Sequence, residues 1–446
     1  MKISINDRIV HVADSKKYMF PNDIFVKIFE GFAVIVSPHN GNWIVLDSQM
    51  QIDMFKLLLK GASIGQVLKL YPNCDGDMHK VIEQVEGRLF EHSFIPDEDG
   101  FSLRIYLTNN CNLRCKHCFV FASTAFENEL SIEEINNLIY RCKESGCNKI
   151  ILTGGEATIR QDFGSIVRYS HELGMYVQVL SNGTLWNYSR VKELSRYIDE
   201  VQISVDGYDE ESMSKIRGVG VFDKALETVD NFIRIGETFV NVIVTPMVED
   251  LKINYIKYRE FARKLIEKYR EQKFLIYFQS ELIDGRNIKA DVERNKKLKQ
   301  LVHKLHEELY ENSELTTFIM HHRHHRLHQN CGYGGLTIDS VGNVFFCSRI
   351  YELKSYGNIR HDNVDDILKL RKKIRQSTYV DNLYPCRECE LRYICGGGCR
   401  INKFPSIINL KTSEFENTYE IHRITQCEEK DNLYRLMIES VDFLLE

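Results

Sequence analysis

The sequence predicts an α/β protein built on a parallel sheet, with a small hairpin-and-helix unit before it and a cysteine-rich unit after it. Three observations carry that expectation. Between residues 101 and 278, short apolar runs alternate with helical runs. That alternation is the mark of βα units and of parallel pairing. Ahead of it, two β-rich runs and three amphipathic runs fit into fewer than a hundred residues. The thirteen cysteines are unevenly spread, with one field at a strand end and another toward the C-terminus.

In chain order, residues 25–35 and 43–46 read as strands, and His39-Asn40-Gly41-Asn42 between them reads as a turn. Residues 50–60 read as a helix with Met54, Phe55 and Leu58 on its apolar side. Ser63 is placed to cap a second helix, with Gln66 completing a capping box. Residues 77–89 form a third helix with Val81, Ile82, Val85 and Leu89 on one side. Domain boundaries are expected at 1–97, 98–312 and 313–446. Within the middle segment, strands are expected at 103–107, 149–152, 176–180, 201–205, 240–244 and 274–278. Helices lie between them, one capped by Ser131 with Glu134 and one over 255–269. Residues 291–311 read as a charged surface helix striped by Leu298, Leu301, Val302, Leu305 and Leu309. Histidine runs can bind metal, but no fixed spacing in His321 to His328 demands a ligand set; the run reads as a solvated basic loop, with contact to an acidic substrate segment as the alternative.

Cys111, Cys115 and Cys118 place three thiolates within eight residues, at the end of the first strand of the α/β segment. Three thiolates are too few for a closed four-coordinate site, and thiolate-rich sites take iron-sulfur, zinc or copper(I). The second strand of that segment runs into Gly154-Gly155-Glu156. Two glycines permit close backbone approach, and a carboxylate suits an ammonium group. The cysteine loop and the glycine turn together resemble the radical S-adenosylmethionine (SAM) superfamily. The resemblance implies a partial (β/α)6 TIM barrel, open on one side. It also implies a [4Fe-4S] cube with one iron left for SAM, whose one-electron cleavage gives a 5′-deoxyadenosyl radical that takes hydrogen from substrate. By the same resemblance, Cys111, Cys115 and Cys118 are catalytic metal ligands. Gly154, Gly155 and Glu156 meet the SAM amino group, Ser204 the ribose and Arg217 the SAM carboxylate. Asn182 lies near the cofactor, and Phe119 lies beside adenine.

The second field holds Cys331, Cys347, Cys386, Cys389, Cys395, Cys399 and Cys427. Cys331 and Cys347 flank a Gly342-Asn343 turn between residues 336–338 and 344–346. Cys386-x-x-Cys389 alone permits a zinc knot. The full pattern resembles the SPASM extension of radical SAM enzymes, which carries two auxiliary [4Fe-4S] clusters and so brings the implied total to three. Cys331, Cys347 and Cys399 would then hold an inner cluster, one thiolate short. Cys386, Cys389, Cys395 and Cys427 would hold an outer one. Cys74, Cys142 and Cys147 fit no metal spacing and read as plain buried or half-buried residues.

The N-terminal unit resembles the winged-helix peptide-recognition domain of ribosomal peptide maturases, where a leader peptide adds a strand to an exposed edge. The expected function is therefore a radical SAM peptide maturase that forms a crosslink in a precursor peptide, a cysteine thioether as in sactipeptides first. The alternatives are carbon–carbon crosslinking, epimerisation, a sulfatase-maturase-like enzyme and a non-catalytic cluster-bearing peptide adaptor. Sulfatase maturases carry an aspartate after the cysteine matching Cys347, and this chain has Ser348. An external one-electron donor is implied. A net charge of −5 gives no sign of nucleic-acid binding. No apolar run is long enough for a membrane span, and no signal peptide is read, so a cytoplasmic setting with reduced thiols is expected.

Overall fold

Contacts divide the chain into two units: Met1–Glu98 with Asn312–Cys331 and Gln376–Glu446, and Asp99–Glu311 with Gly332–Arg375. The computed structural model describes residues 1–5, 8–88, 100–322, 326–403, 427, 429–441 and 443. Leu89, the boundary expected near 97 and part of the histidine run therefore lie outside the described residues.

In the first unit, β1 (Lys2–Ile5) and β2 (Arg8–His11) form an antiparallel pair that the periodicity did not reveal. The expected strand at 25–35 is two strands, β3 (Phe25–Phe29) and β4 (Phe32–Ser37). They are folded back at Glu30 and Gly31, both with positive φ. With β5 (Asn42–Leu46) they make a three-stranded antiparallel sheet. Helices follow at Gln49–Leu59, Ile64–Leu70 and Asp75–Gly87, and Ser63 and Gln66 form the expected capping box.

β4 and β5 are buried on both faces because two cores meet on them. Ala33, Ile35, Ile44 and Leu46 pack with Phe55, Leu58, Val81 and Ile82 of the N-terminal helices. Val34, Val36, Trp43 and Val45 pack with Phe318, Ile394, Tyr434 and Met437 from later in the chain. Gln84 pairs with Val45 through both amide groups, donating to its carbonyl at 2.6 Å and accepting from its N–H at 2.7 Å. A side chain thus covers the β5 edge. β3 is the open edge of this sheet among the described residues, with Phe25, Val26 and Ile28 exposed on it.

The second unit is built on β6 (Phe101–Tyr106), β7 (Cys147–Thr153), β8 (Tyr176–Ser181), β9 (Glu200–Ser204), β10 (Phe239–Val244) and β11 (Phe274–Phe278). All neighbours in this series pair in parallel, as the six expected strands require. Leu103, Ile105, Ile150, Leu152, Val177, Val179, Val201 and Ile203 are fully buried on one face. Helices such as Ile132–Glu144 and Phe222–Ile235 carry matching apolar stripes. The other face is polar, with Arg104, Gln178, Gln202 and Ser204 at alternate positions.

β12 (Leu336–Ile338) joins β6 in parallel, and β13 (Val344–Phe345) closes a hairpin on it. The hairpin read as part of the cysteine-rich extension therefore extends the parallel sheet. At the opposite edge, the helix Val292–Leu309 supplies His306. Its Nε2 accepts from Phe278 N–H at 3.0 Å, and Tyr310 exchanges hydrogen bonds with both backbone groups of Ile276. No described helix is long and apolar enough to cross a membrane.

Candidate functional site

Parallel strands point their C-terminal ends to one side, and loops there collect chemistry. The cysteine loop leaves β6 at that side and is clamped along its length. Cys111 N–H donates to Ser123 O at 3.1 Å, and Lys116 N–H donates to Ile216 O at 3.0 Å. From beyond β11, Arg286 N–H reaches Cys118 O at 3.1 Å and Asn287 N–H reaches Lys116 O at 2.8 Å. A Cβ on Gly285 would stand 2.7 Å from the His117 carbonyl, so that contact needs glycine. The sequence reading missed the 285–287 clamp, because a single glycine in a polar loop gives no periodic signal.

The Gly154-Gly155 turn packs directly on the start of the cysteine loop. Gly155 N–H donates to Thr108 O at 2.7 Å and Glu156 N–H to Asn110 O at 2.8 Å. A Cβ at Gly154 would lie 2.7 Å from Thr108 O, and one at Gly155 would overlap the Asn110 carbonyl oxygen. The close approach expected of a ligand is thus made in part by the chain itself.

Glu156 is buried. Its Oε1 accepts from Thr158 Oγ1 at 2.6 Å and Ser181 Oγ at 2.9 Å, and its Oε2 accepts from Asn182 N–H at 2.7 Å. The expected partner of this carboxylate was an ammonium group. In the structure its bonds go to Thr158 and to Ser181 and Asn182 at the end of β8. Asn182 then bridges onward, donating through Nδ2 to Asn112 Oδ1 of the cysteine loop at 2.9 Å.

Asp206 follows β9, is fully buried, and was passed over in the sequence reading. It pairs with Arg217 Nε, lies 3.3 Å from His117 Nε2 and accepts from Thr245 N–H at 2.8 Å. Burial works to lower the Arg217 pKa, but Asp206 overrides it and raises the net value. Arg217 Nη1 lies 3.7 Å from Cys115 Sγ. Burial pushes His117 down to about 4, so its ring is neutral near pH 7. Burial also pushes the Cys111 thiol up to about 11 and raises that of Cys115. A thiol so shifted becomes a thiolate when a metal replaces its proton.

One cavity of about 460 Å³ gathers these groups: Cys111, Cys115, Cys118, Phe119, Gly154, Gly155, Glu156, Asn182, Ser204 and Arg217 all line it. Every residue expected at the SAM site is present there. The cavity offers three thiols from one loop, and its other lining groups include Tyr106, Gln202, Gln279, Glu281, Ser348 and Arg349. This donor set fits a cluster held by three cysteines and completed by an exogenous ligand.

In the first unit, Cys389 N–H donates to Cys386 O at 2.9 Å, and Cys395 closes the short helix Arg392–Cys395. Burial pushes the Cys389 thiol up to about 11, with Cys395 contributing. Cys399 follows Gly396-Gly397-Gly398, all of positive φ. Gly396 leaves no room for a side chain beside Asn330, the residue before Cys331. Cys427 is exposed. In the second unit, Tyr106 Oη donates to Ser348 O at 2.9 Å, next to Cys347. Cys142 and Cys147 are buried and Cys74 is half-buried, as expected of cysteines outside the metal fields. His322 is a core residue stacked on Phe318, not part of a solvated loop.

Residues 105–256 match the family model described as the radical SAM superfamily, and residues 330–390 match that of an iron-sulfur cluster-binding domain, SPASM. These domains imply SAM and multiple [4Fe-4S] clusters. An Fe-coproporphyrin III synthase from Methanosarcina barkeri is 37% identical over 32% of this chain and 39% of its own length. A probable GTP 3′,8-cyclase from Methanocella arvoryzae is 32% identical over 37% of this chain and 56% of its own. The chain thus spans about half the length of these curated relatives. The solved structure of anSMEcpe with bound AdoMet and Cp18Cys peptide matches with a TM-score of 0.54 and 19% identity, over 78% of this chain and 99% of that one.

Proposed function

We propose that this chain, which carries a radical SAM domain followed by a SPASM iron-sulfur domain, is a peptide maturase. It abstracts hydrogen from a ribosomally made precursor and closes an intramolecular crosslink, a cysteine thioether being the favoured product. The observation that carries this reading is the single cavity lined by three cysteines and all the expected SAM-side residues. When bound, the cluster and SAM supply a carbon-centred radical able to take hydrogen from a C–H bond.

The chain's own residues do the rest. Cys111, Cys115 and Cys118 hold the cluster, and the 285–287 clamp fixes their loop. Asp206 orients Arg217 toward the SAM carboxylate. Glu156 fixes the end of β8, so that Asn182 would face the cofactor. Cys386, Cys389, Cys395 and Cys427 would hold an outer auxiliary cluster. A substrate cysteine would supply the sulfur, its thiol proton leaving to solvent and one electron passing to an auxiliary cluster as the C–S bond forms.

Two features favour a peptide. The structure of anSMEcpe was solved with a Cp18Cys peptide, so the fold accommodates one. In the first unit, Gln84 covers the β5 edge while β3 stays open with Phe25, Val26 and Ile28 exposed. An extended leader would pair there by strand addition. Ser348 lines the cavity where sulfatase maturases carry aspartate, which disfavours that substrate. A cytosolic setting and an external one-electron donor complete the reading.

The test is anaerobic reconstitution, assay of reductive SAM cleavage, and mass spectrometry of a cysteine-containing precursor co-expressed with the enzyme. Loss of a hydrogen pair per crosslink is expected. Unchanged mass with solvent deuterium at a Cα would make the enzyme an epimerase. Turnover of a coproporphyrin, with the peptide untouched, would replace the peptide reading by that suggested by the Methanosarcina relative.

A further inference from the structure

We propose that Arg104 selects an acidic substrate, holding the carboxylate of an Asp or Glu side chain in the peptide segment that enters the reaction cavity. This rests on the reading of that cavity as a peptide-modifying site.

Strand alternation sets the direction of the side chain. Leu103 and Ile105 are fully buried on the helix-covered face of β6. Arg104 and Tyr106 therefore stand on the opposite face, and both line the cavity that holds the three cysteines. Arg104 is not at the surface of the fold. It is a fixed positive charge placed inside the barrel, two residues before the strand ends and seven before Cys111.

The protein supplies no counter-charge for it. Among the described residues, Arg104 makes no hydrogen bond or ion pair. The other charged groups of the cavity are already engaged. Glu156 is taken by Thr158, Ser181 and Asn182. Glu281 lies 3.5 Å from Arg349, which also forms a bidentate pair with Glu352. Arg217 has Asp206. Glu200, further down the polar face, is shared by Lys149, Gln178 and Tyr176.

A guanidinium in a confined cavity loses hydration, and the loss is recovered when an anion meets its planar fork. Lysine would serve as a point charge, but arginine offers paired donors matched to a carboxylate. A substrate carboxylate is therefore the ligand chemistry that Arg104 fits. Two residues nearer the strand end, Tyr106 is tied to Ser348 O and is not free to compete.

The test uses the reconstituted full-length enzyme with SAM and capped peptides of the form acetyl-Gly-Ala-Xaa-Ala-Gly-amide, with Xaa as Asp, Glu, Asn or Gln. Affinity is read by saturation-transfer NMR at low salt. The acidic peptides should bind about tenfold or more tightly than their amides. Arg104→Gln should erase that preference and Arg104→Lys should keep part of it. Iron content and melting temperature serve as the folding control.

Equal affinity for acid and amide, absence of binding by all four, or a preference that survives Arg104→Gln would overturn the proposal. So would an auxiliary-cluster EPR signal shifted by Arg104→Gln in peptide-free enzyme alongside a surviving preference, because Arg104 would then be a partner of the cluster. A GTP arm separates the two readings. GTP binding that is lost in Arg104→Gln would assign the arginine to a phosphate-bearing substrate and overturn the peptide commitment. Failure of the wild-type chain to cleave SAM would sink the functional reading before any peptide is added.

Discussion

A methyl group at Gly155 would overlap the Asn110 carbonyl, one residue before Cys111. That carbonyl also accepts from Glu156 N–H, so the loop cannot withdraw without breaking the joint. Gly155→Ala should cost about 1–3 kcal/mol of stability and lower iron bound per chain, read by urea melts and iron analysis. Asp206→Asn acts through charge. It leaves Arg217 buried without its counter-ion and weakens the contact to His117. Removing one partner of a buried pair costs about 3–5 kcal/mol. Equilibrium binding should show SAM affinity reduced at least about tenfold, since 1.4 kcal/mol already corresponds to that factor. The glycine turn could be read from sequence because two adjacent glycines before an acid have few structural uses. Asp206, two residues after Ser204, carries no such signal, because its partner Arg217 is eleven residues away and only folding joins them.

The strands and helices of the second unit were visible as elements because their periods differ: apolar alternation in β6 to β9 against three-to-four spacing in the helices between them. Register with distant segments was not visible. β12 joins β6 across more than two hundred residues, and nothing local in Leu336-Thr337-Ile338 names its neighbour. The closing of the β11 edge was hidden for the same reason. His306 and Tyr310 occupy positions in a charged helical stretch, yet they satisfy the backbone of Phe278 and Ile276. His306 must be neutral at Nε2 to accept that hydrogen bond. Burial, aided by His303 and opposed by Glu307, pushes its pKa down to about 4, against about 6.5 in an unfolded chain. As pH falls, the unfolded state takes up the proton first. Stability from this site is therefore complete above about 6.5 and is lost as pH drops toward 4. Between pH 7 and 5 the loss should reach about 1–2 kcal/mol. Urea melts at the two pH values should show it, and His306→Gln, which keeps an acceptor without titrating, should flatten the difference.

At the scale of the whole molecule, the N-terminal sheet serves two cores in one unit. A sequence reading that expects a self-contained recognition domain looks for one apolar face per strand. β4 and β5 have two, because Val34, Val36, Trp43 and Val45 meet Phe318, Tyr434 and Met437 from the far end of the chain. The continuous apolar runs at 32–36 and 43–46 carried that information, since strands buried on both faces lose their alternation. Simple deletion of the N-terminal residues would expose this second core along with any leader-binding edge, so it cannot isolate recognition. Trp43 gives the cleaner measurement. It is fully buried, stacks edge-on against Phe318 at 5.8 Å and carries the Arg88 guanidinium 3.9 Å over its ring. Trp43→Ala should cost about 3–5 kcal/mol. The damage should fall on the unit that holds Cys386, Cys389 and Cys395, while the loop from Cys111 to Cys118 belongs to the other unit. EPR of the reconstituted variant should therefore show a reduced auxiliary-cluster signal with the SAM-responsive cluster retained. Equal loss of both signals would mean that the two units do not unfold separately.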